Sequence, residues 1–237
     1  MTTGRRSFTP EFKRDAAALV IEQGYTINGV KGLEHCLPLP MDTSPGYPYN
    51  QRERIRMQNE VGKVWLFEGG PGNWMINDSE LRMAVDARIA LGKRGMRPKS
   101  LWLDCLKDER RSLEKISQGK TRVFTIPPVD FTIVFRMYTI SFTTNFIANN
   151  KKFFSAVGID PESSDWTQLM KYLESNSDLG FAGDYSGWDG NISPIMIEEC
   201  ANLVNAWYAD SDENRLLRKV LFDEIAHTPQ AFLTTLS

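Results

Sequence analysis

The chain has 237 residues, 41% of them hydrophobic and 24% charged, with a formal net charge of −2. That length and apolar content suit one large domain or two intimate ones and exclude wholesale disorder. The acidic balance argues against a uniformly basic nucleic-acid binder, although a whole-chain charge conceals local patches.

No run reaches the ~18 consecutive apolar residues of a membrane span. The opening, Met1 to Asp15, is polar and charged and lacks the apolar core of a secretory signal. In chain order, Phe12, Ala16, Leu19 and Val20 recur at helical spacing, which predicts an amphipathic helix over Pro10 to Gly24. Residues 36–50, CLPLPMDTSPGYPYN, hold four prolines and a glycine, so they predict an ordered loop with extended pieces. Lys63 to Phe67 reads as a short strand before the turn-rich Glu68 to Asn73. Asp78 or Ser79 caps a helix running to about Gly92.

Residues 99–107 and 121–127 read as strands, the second ended by Pro127-Pro128. A long apolar helix follows from Val129 to Ala148, and another starts near Ser164 or Asp165. Leu179 to Tyr185 is strand-like. Helices over Pro194 to Tyr208 and Asp212 to Ala226 follow, and Gln230 to Leu236 reads as one more strand. The mix predicts an α+β fold with few strands for its length. Cys36, Cys105 and Cys200 lack zinc-finger spacing and read as packing residues suited to a reducing compartment. His35 and His227 have no obvious ligand partner and read as structural.

The stretch Lys93 to Arg122 is the local charge anomaly. Lys93, Arg94, Arg97, Lys99, Lys107, Arg110, Arg111, Lys115, Lys120 and Arg122 stand against Asp104, Asp108, Glu109 and Glu114, a local excess of six positive charges. Cations spaced along a strand, a loop and a returning strand can converge on a phosphate. The plain alternative is a solvated charged loop. Gly119-Lys120-Thr121 imitates the end of a phosphate-binding P-loop. That motif needs glycine where Glu114 stands, so this loop cannot wrap a phosphate in the usual way.

Phe181 to Asn191 reads FAGDYSGWDGN. An apolar strand leading into Asp184 would place a carboxylate rigidly, as a magnesium ligand requires. Asp189, across a turn at Ser186-Gly187, can face the same cleft and accept a hydrogen bond from a sugar hydroxyl. The structural alternative is an Asx-turn at either aspartate. An aspartyl phosphatase would want a second aspartate where Ser186 stands.

Three of these segments, in order, resemble motifs of picornavirus-like RNA-dependent RNA polymerases. Asp42-Thr43-Ser44-Pro45-Gly46-Tyr47-Pro48-Tyr49 resembles the fingers motif G. Lys107 to Arg111 through Gly119 to Arg122 resembles motif F. Phe181 to Pro194 resembles motif A. The likeness covers about residues 30–230 and implies the fingers and a partial palm of a right-hand polymerase, with the thumb absent. It divides the chain into a fingers region, 1–178, and the start of the palm, 179–237. The first holds the template loop 42–50 and the basic nucleotide-admitting segment 93–127.

By this resemblance Asp184 binds catalytic Mg2+ (or Mn2+) and Asp189 recognises the ribose 2′-hydroxyl. Arg122, Arg111, Lys107 and Lys115 contact the nucleoside triphosphate, and Lys120 supports that loop or touches RNA. Thr43, Ser44 and Gly46 line the template path. The implied partners are an RNA template and primer, NTPs and other viral replication proteins, within a membrane-associated replication complex in the host cytoplasm. The family's motifs B and C are missing, so the chain by itself is expected to be close to inactive and loosely packed in its last third. A second reading is a non-catalytic RNA-binding α+β module that uses the 93–122 basic segment with aromatic stacking.

Overall fold

The computed structural model describes residues 25–29, 35–55, 62–153 and 155–232. The helix expected over 10–24 and the strand positions after 232 lie outside those residues. A short helix α1 (Tyr25–Asn28) precedes the proline-rich loop, and α2 (Tyr49–Ile55) follows it. Lys63 to Phe67 is not a strand as expected: Val64–Leu66 forms a 3₁₀ turn closed by Leu66 N–H on the Lys63 carbonyl at 3.0 Å. Only β1 (Phe67–Glu68) finds a ladder, antiparallel to β2 (Met75–Ile76).

Helix α3 (Ser79–Gly92) starts where its cap predicts: the Asp78 carboxylate accepts from Leu81 N–H at 2.8 Å and from Arg52 at 2.6 Å. Burial alone would raise the Asp78 carboxyl. The Arg52 hydrogen bond and the Leu81 N–H outweigh it and hold the group below its ordinary value. Strand β3 (Trp102–Leu106), helix α4 (Leu113–Ser117) and strand β4 (Val123–Ile126) make the basic arm, with β3 and β4 antiparallel from Leu103↔Ile126 to Leu106↔Val123. The Pro127-Pro128 pair ends β4, and α5 (Val129–Ala148) begins at once. Helices α6 (Ser164–Glu174), α7 (Trp188–Asn191), α8 (Pro194–Tyr208) and α9 (Asp212–His227) follow. Strand β5 (Gln230–Phe232) then returns parallel to β3, giving the sheet order β4-β3-β5.

The core gathers Leu66, Leu81, Val85, Trp102, Val129, Phe131, Ile133, Val134, Leu217 and Leu221. Helix α5 is apolar around most of its circumference because α1, α3, α8 and α9 all pack on it. The last third is unevenly packed: Val204, Tyr208, Leu217 and Leu221 are buried, whereas residues 178–188 are all exposed. The cysteines also divide. Cys36 is buried, Cys105 is intermediate and Cys200 lies exposed on α8, so Cys200 is not the packing residue its type predicts.

Between α3, α5 and α9 sits a buried ionic cluster. Arg88 donates to Asp130 at 2.7 and 2.9 Å, to both oxygens of Glu224 at 2.7 and 2.6 Å, and to Ser100 Oγ at 3.0 Å. Burial would loosen the Arg88 proton, but the two carboxylates outweigh that and bind it more firmly than usual. Burial also raises the Tyr49 phenol, and its hydrogen bond to Asp130 adds to the effect. A second cluster joins α8 to α9: Arg218, 1% exposed, donates to Asn205 at 2.6 Å and pairs with Asp210 while stacking over Tyr208.

Candidate nucleotide and template site

The basic arm is a β-hairpin whose tip is the short helix α4. Lys107 N–H donates to the Arg122 carbonyl at 2.8 Å, closing the ladder below the tip. Ser112 caps α4 through Lys115 N–H, and Lys120 N–H returns to the Lys115 carbonyl at 2.9 Å. Gly119, at φ 64°, makes the left-handed step that permits this return. Lys107, Lys115, Lys120 and Arg122 are exposed.

Glu109 organises the two arginines. Arg111 donates to its Oε1 at 2.9 and 2.6 Å, and Arg122 lies 3.7 Å from its Oε2. Sequence reasoning counted Glu109 only as a charge subtracted from the arm. Its alternation with Arg111 and its place in the resembling motif were the available signal. The basic island is also not one site. Lys93 and Arg97 turn toward α9, where they pair with Glu213 at 3.9 Å and Asp223 at 3.2 Å. On the hairpin itself Lys107, Arg110, Lys115, Lys120 and Arg122 are exposed.

The proline-rich loop docks on the far end of the same hairpin. Val129 N–H donates to the Pro45 carbonyl at 2.8 Å. Gly46, at φ 73°, lies so close to the β4–α5 junction that a Cβ would meet the Pro127 carbonyl oxygen at 2.4 Å. Thr43, Ser44 and Lys63 share a largely apolar groove of about 470 Å³ with Phe124, Thr125 and Thr132. The structure thus brings the loop 43–46 and the strand carrying the basic arm onto one junction.

Asp184 lies on the segment between α6 and α7, which joins none of the described sheets. Leu179 to Tyr185 forms no regular element, contrary to the strand expected: no strand pairs with it among the described residues. Phe181 is 99% exposed and Leu179 88%, so the apolar side chains meant to anchor the strand have nothing to pack on. Asp184 is exposed, and Asp189 lies on α7, entered through Gly187 at φ 63°. Among the described residues no group of three His, Cys, Asp or Glu could hold a metal ion. A divalent cation takes about six oxygens, and the described side chains gather no such set around Asp184, so the cage does not fit as it stands.

A basic hairpin docked on a glycine-containing loop, with an aspartate-bearing segment later in the chain, is the arrangement the described residues present. Comparison with known proteins agrees. The family model "Viral RNA-dependent RNA polymerase" matches residues 20–235, and the chain belongs to that family. It is 38% identical over 208 residues to the genome polyprotein of rice tungro spherical virus (strain Vt6), covering 85% of this chain and 6% of that polyprotein. It is 34% identical over 212 residues to the replicase polyprotein of acute bee paralysis virus (strain Rothamsted), covering 90% of this chain and 11% of that one. A solved Sicinivirus 3Dpol RNA-dependent RNA polymerase shares the fold, with a TM-score of 0.67 at 19% identity. That match covers 97% of this chain and 47% of the polymerase, so the chain spans about half of a solved polymerase and a small share of the polyproteins.

Proposed function

We propose that the protein containing this chain copies RNA from an RNA template, using NTPs and a divalent metal, during viral genome replication. Residues 1–178 supply the fingers and 179–237 the start of the palm. The observation that carries the reading is the docking of the 43–46 loop onto the strand end of the basic arm, through Val129 N–H and Gly46. This sets a surface suited to a nucleic-acid backbone beside a surface suited to a triphosphate.

On this reading Arg122 and Arg111, held by Glu109, present guanidinium groups to the triphosphate. Lys107 and Lys115 add charge, and Lys120 steadies the arm or meets RNA. Each charge-assisted bond to phosphate contributes ~1.5–3 kcal/mol before desolvation. Thr43, Ser44 and Gly46 border the template. Asp189 accepts from the ribose 2′-hydroxyl. Asp184 would lend carboxylate oxygens to Mg2+ or Mn2+, which would supply charge stabilisation to a phosphoryl group. The remaining oxygens come from elsewhere in the polymerase, which leaves this chain close to inactive alone. The protein works beside other viral replication proteins, in a membrane-associated complex of the host cytoplasm. No described helix is long and apolar enough to cross a membrane.

Photo-cross-linking of an azido-NTP to the purified chain tests the reading. Labelling should map to 107–122 and fall in Arg122→Glu. Loss of RNA affinity and salt slope with labelling unchanged would favour the RNA-binding module instead.

A further inference from the structure

Lys63 is 4% exposed, yet it carries an ammonium group. That group donates to the Pro40 carbonyl at 2.7 Å and to Thr43 Oγ1. The Thr43 hydroxyl in turn donates to the same Pro40 carbonyl at 3.2 Å. The Lys63 backbone N–H holds the Met41 carbonyl at 2.9 Å. Gly62, at φ 79°, allows this approach: a Cβ there would meet the Met41 carbonyl oxygen at 2.3 Å. Residues 62–63 therefore grip 40–43 by main chain and side chain together.

The grip fixes hydroxyl roles. Thr43 accepts from Lys63 and spends its proton on Pro40. Ser44 Oγ accepts from Gly46 N–H at 3.3 Å, which leaves its own proton to donate into the groove that Thr43, Ser44 and Lys63 line. A buried cation seldom persists unless its surroundings hold it, and here the loop supplies two of the acceptors.

We propose that Lys63 is the positioning residue of the template loop: its buried ammonium fixes the Pro40 carbonyl and the Thr43 hydroxyl, and so sets where the Ser44 hydroxyl meets an RNA backbone. The inference rests on reading 42–50 as the loop that meets template RNA. Lys63 acts through Thr43 and does not itself touch phosphate.

The test uses the purified chain and a 5-bromouridine-containing single-stranded RNA. Cross-link yield at residues 42–46 is mapped by mass spectrometry, beside the slope of log affinity against log salt and thermal melting. Lys63→Met keeps the apolar reach of the side chain to Cε and removes the ammonium group. It should melt cooperatively, lose roughly tenfold in cross-link yield, and keep the salt slope of the unaltered chain. An unchanged yield overturns the proposal. A slope shallower by ~0.7, the value of one phosphate contact to a single strand, shows direct contact and also overturns it. If Lys63→Met fails to fold, Thr43→Val decides: it removes the acceptor of the ammonium and should show the same loss, and an undiminished yield refutes the grip. An unaltered chain that cross-links elsewhere but never at 42–46 removes the template reading, and this proposal with it.

Discussion

Replacing Arg88 by methionine removes one cation from between two buried carboxylates. Glu224 is 0% exposed and Asp130 7%, and Arg88 supplies four of the hydrogen bonds that reach their oxygens. Breaking a buried pair costs ~3–5 kcal/mol because the stranded charge keeps its desolvation penalty. Arg88 serves two partners, so the upper half of that range applies. For a domain of this size a loss of ~4 kcal/mol lowers the melting temperature by ~8–16 °C.

Two further signatures separate this account from simple loss of packing. In Arg88→Met the orphaned carboxylates are expected to titrate above their ordinary values, so the folded variant binds more protons than the unfolded one. Its deficit should therefore shrink as pH falls from ~7.5 to ~5.5. The triple variant Arg88→Met, Asp130→Leu, Glu224→Leu should be more stable than Arg88→Met alone, because no charge is left stranded. Thermal melts followed by circular dichroism at the two pH values measure all of this. A melting temperature for Arg88→Met within ~2 °C of the unaltered chain would refute the reasoning, as would a deficit that grows on acidification.

Gly46→Ala should destabilise the chain by more than ~1 kcal/mol in urea denaturation, because a Cβ at φ 73° meets the Pro127 carbonyl; a neutral result would mean the loop is not docked there. Burial pushes the Tyr208 phenol up to about 12, with the Phe142 N–H, the Ser141 side chain and Arg218 opposing. The folded state thus retains a proton that the unfolded state releases, and stability present below pH ~10 is lost as pH climbs toward 12. Tyr208→Phe should flatten that alkaline loss, and identical alkaline melts for the two proteins would argue against it. Glu109→Gln weakens the carboxylate hold on Arg111 and Arg122, so azido-NTP labelling of 107–122 should fall; a rise would mean that Glu109 merely neutralises the arginines rather than orienting them.

Much of the helical framework was legible because its signals are local. Pro127-Pro128 before an unbroken apolar run delimits α5, and Asp78 announces α3 through its own carboxylate. The hairpin 102–126 was legible from apolar clustering on both sides of a polar tip. Leu179 to Tyr185 misled because apolar composition states only that a segment can join a sheet. Joining requires a neighbour, and β3 is already flanked by β4 and β5. Lys63 to Phe67 misled for the opposite reason: the backbone of Lys63 is committed to the loop at Met41, and a tight turn follows. Arg88 with Glu224 was illegible, since 136 residues separate partners that only the packed helices bring together. At the candidate site, residue types and order singled out the basic arm and the 42–50 loop. Which cations face α9 and which face solvent depended on where Glu213 and Asp223 fall once α9 is docked.

Asp184 carries the chemical part of the account, and it is best tested in a longer replicase protein that includes this chain. RNA-templated primer extension in magnesium is compared for the unaltered protein and for Asp184→Asn, which keeps shape and removes the anion. The account expects steady extension from the first and a fall to background from the second, with RNA cross-linking at 42–46 retained in both. Extension by Asp184→Asn at the unaltered rate would contradict it.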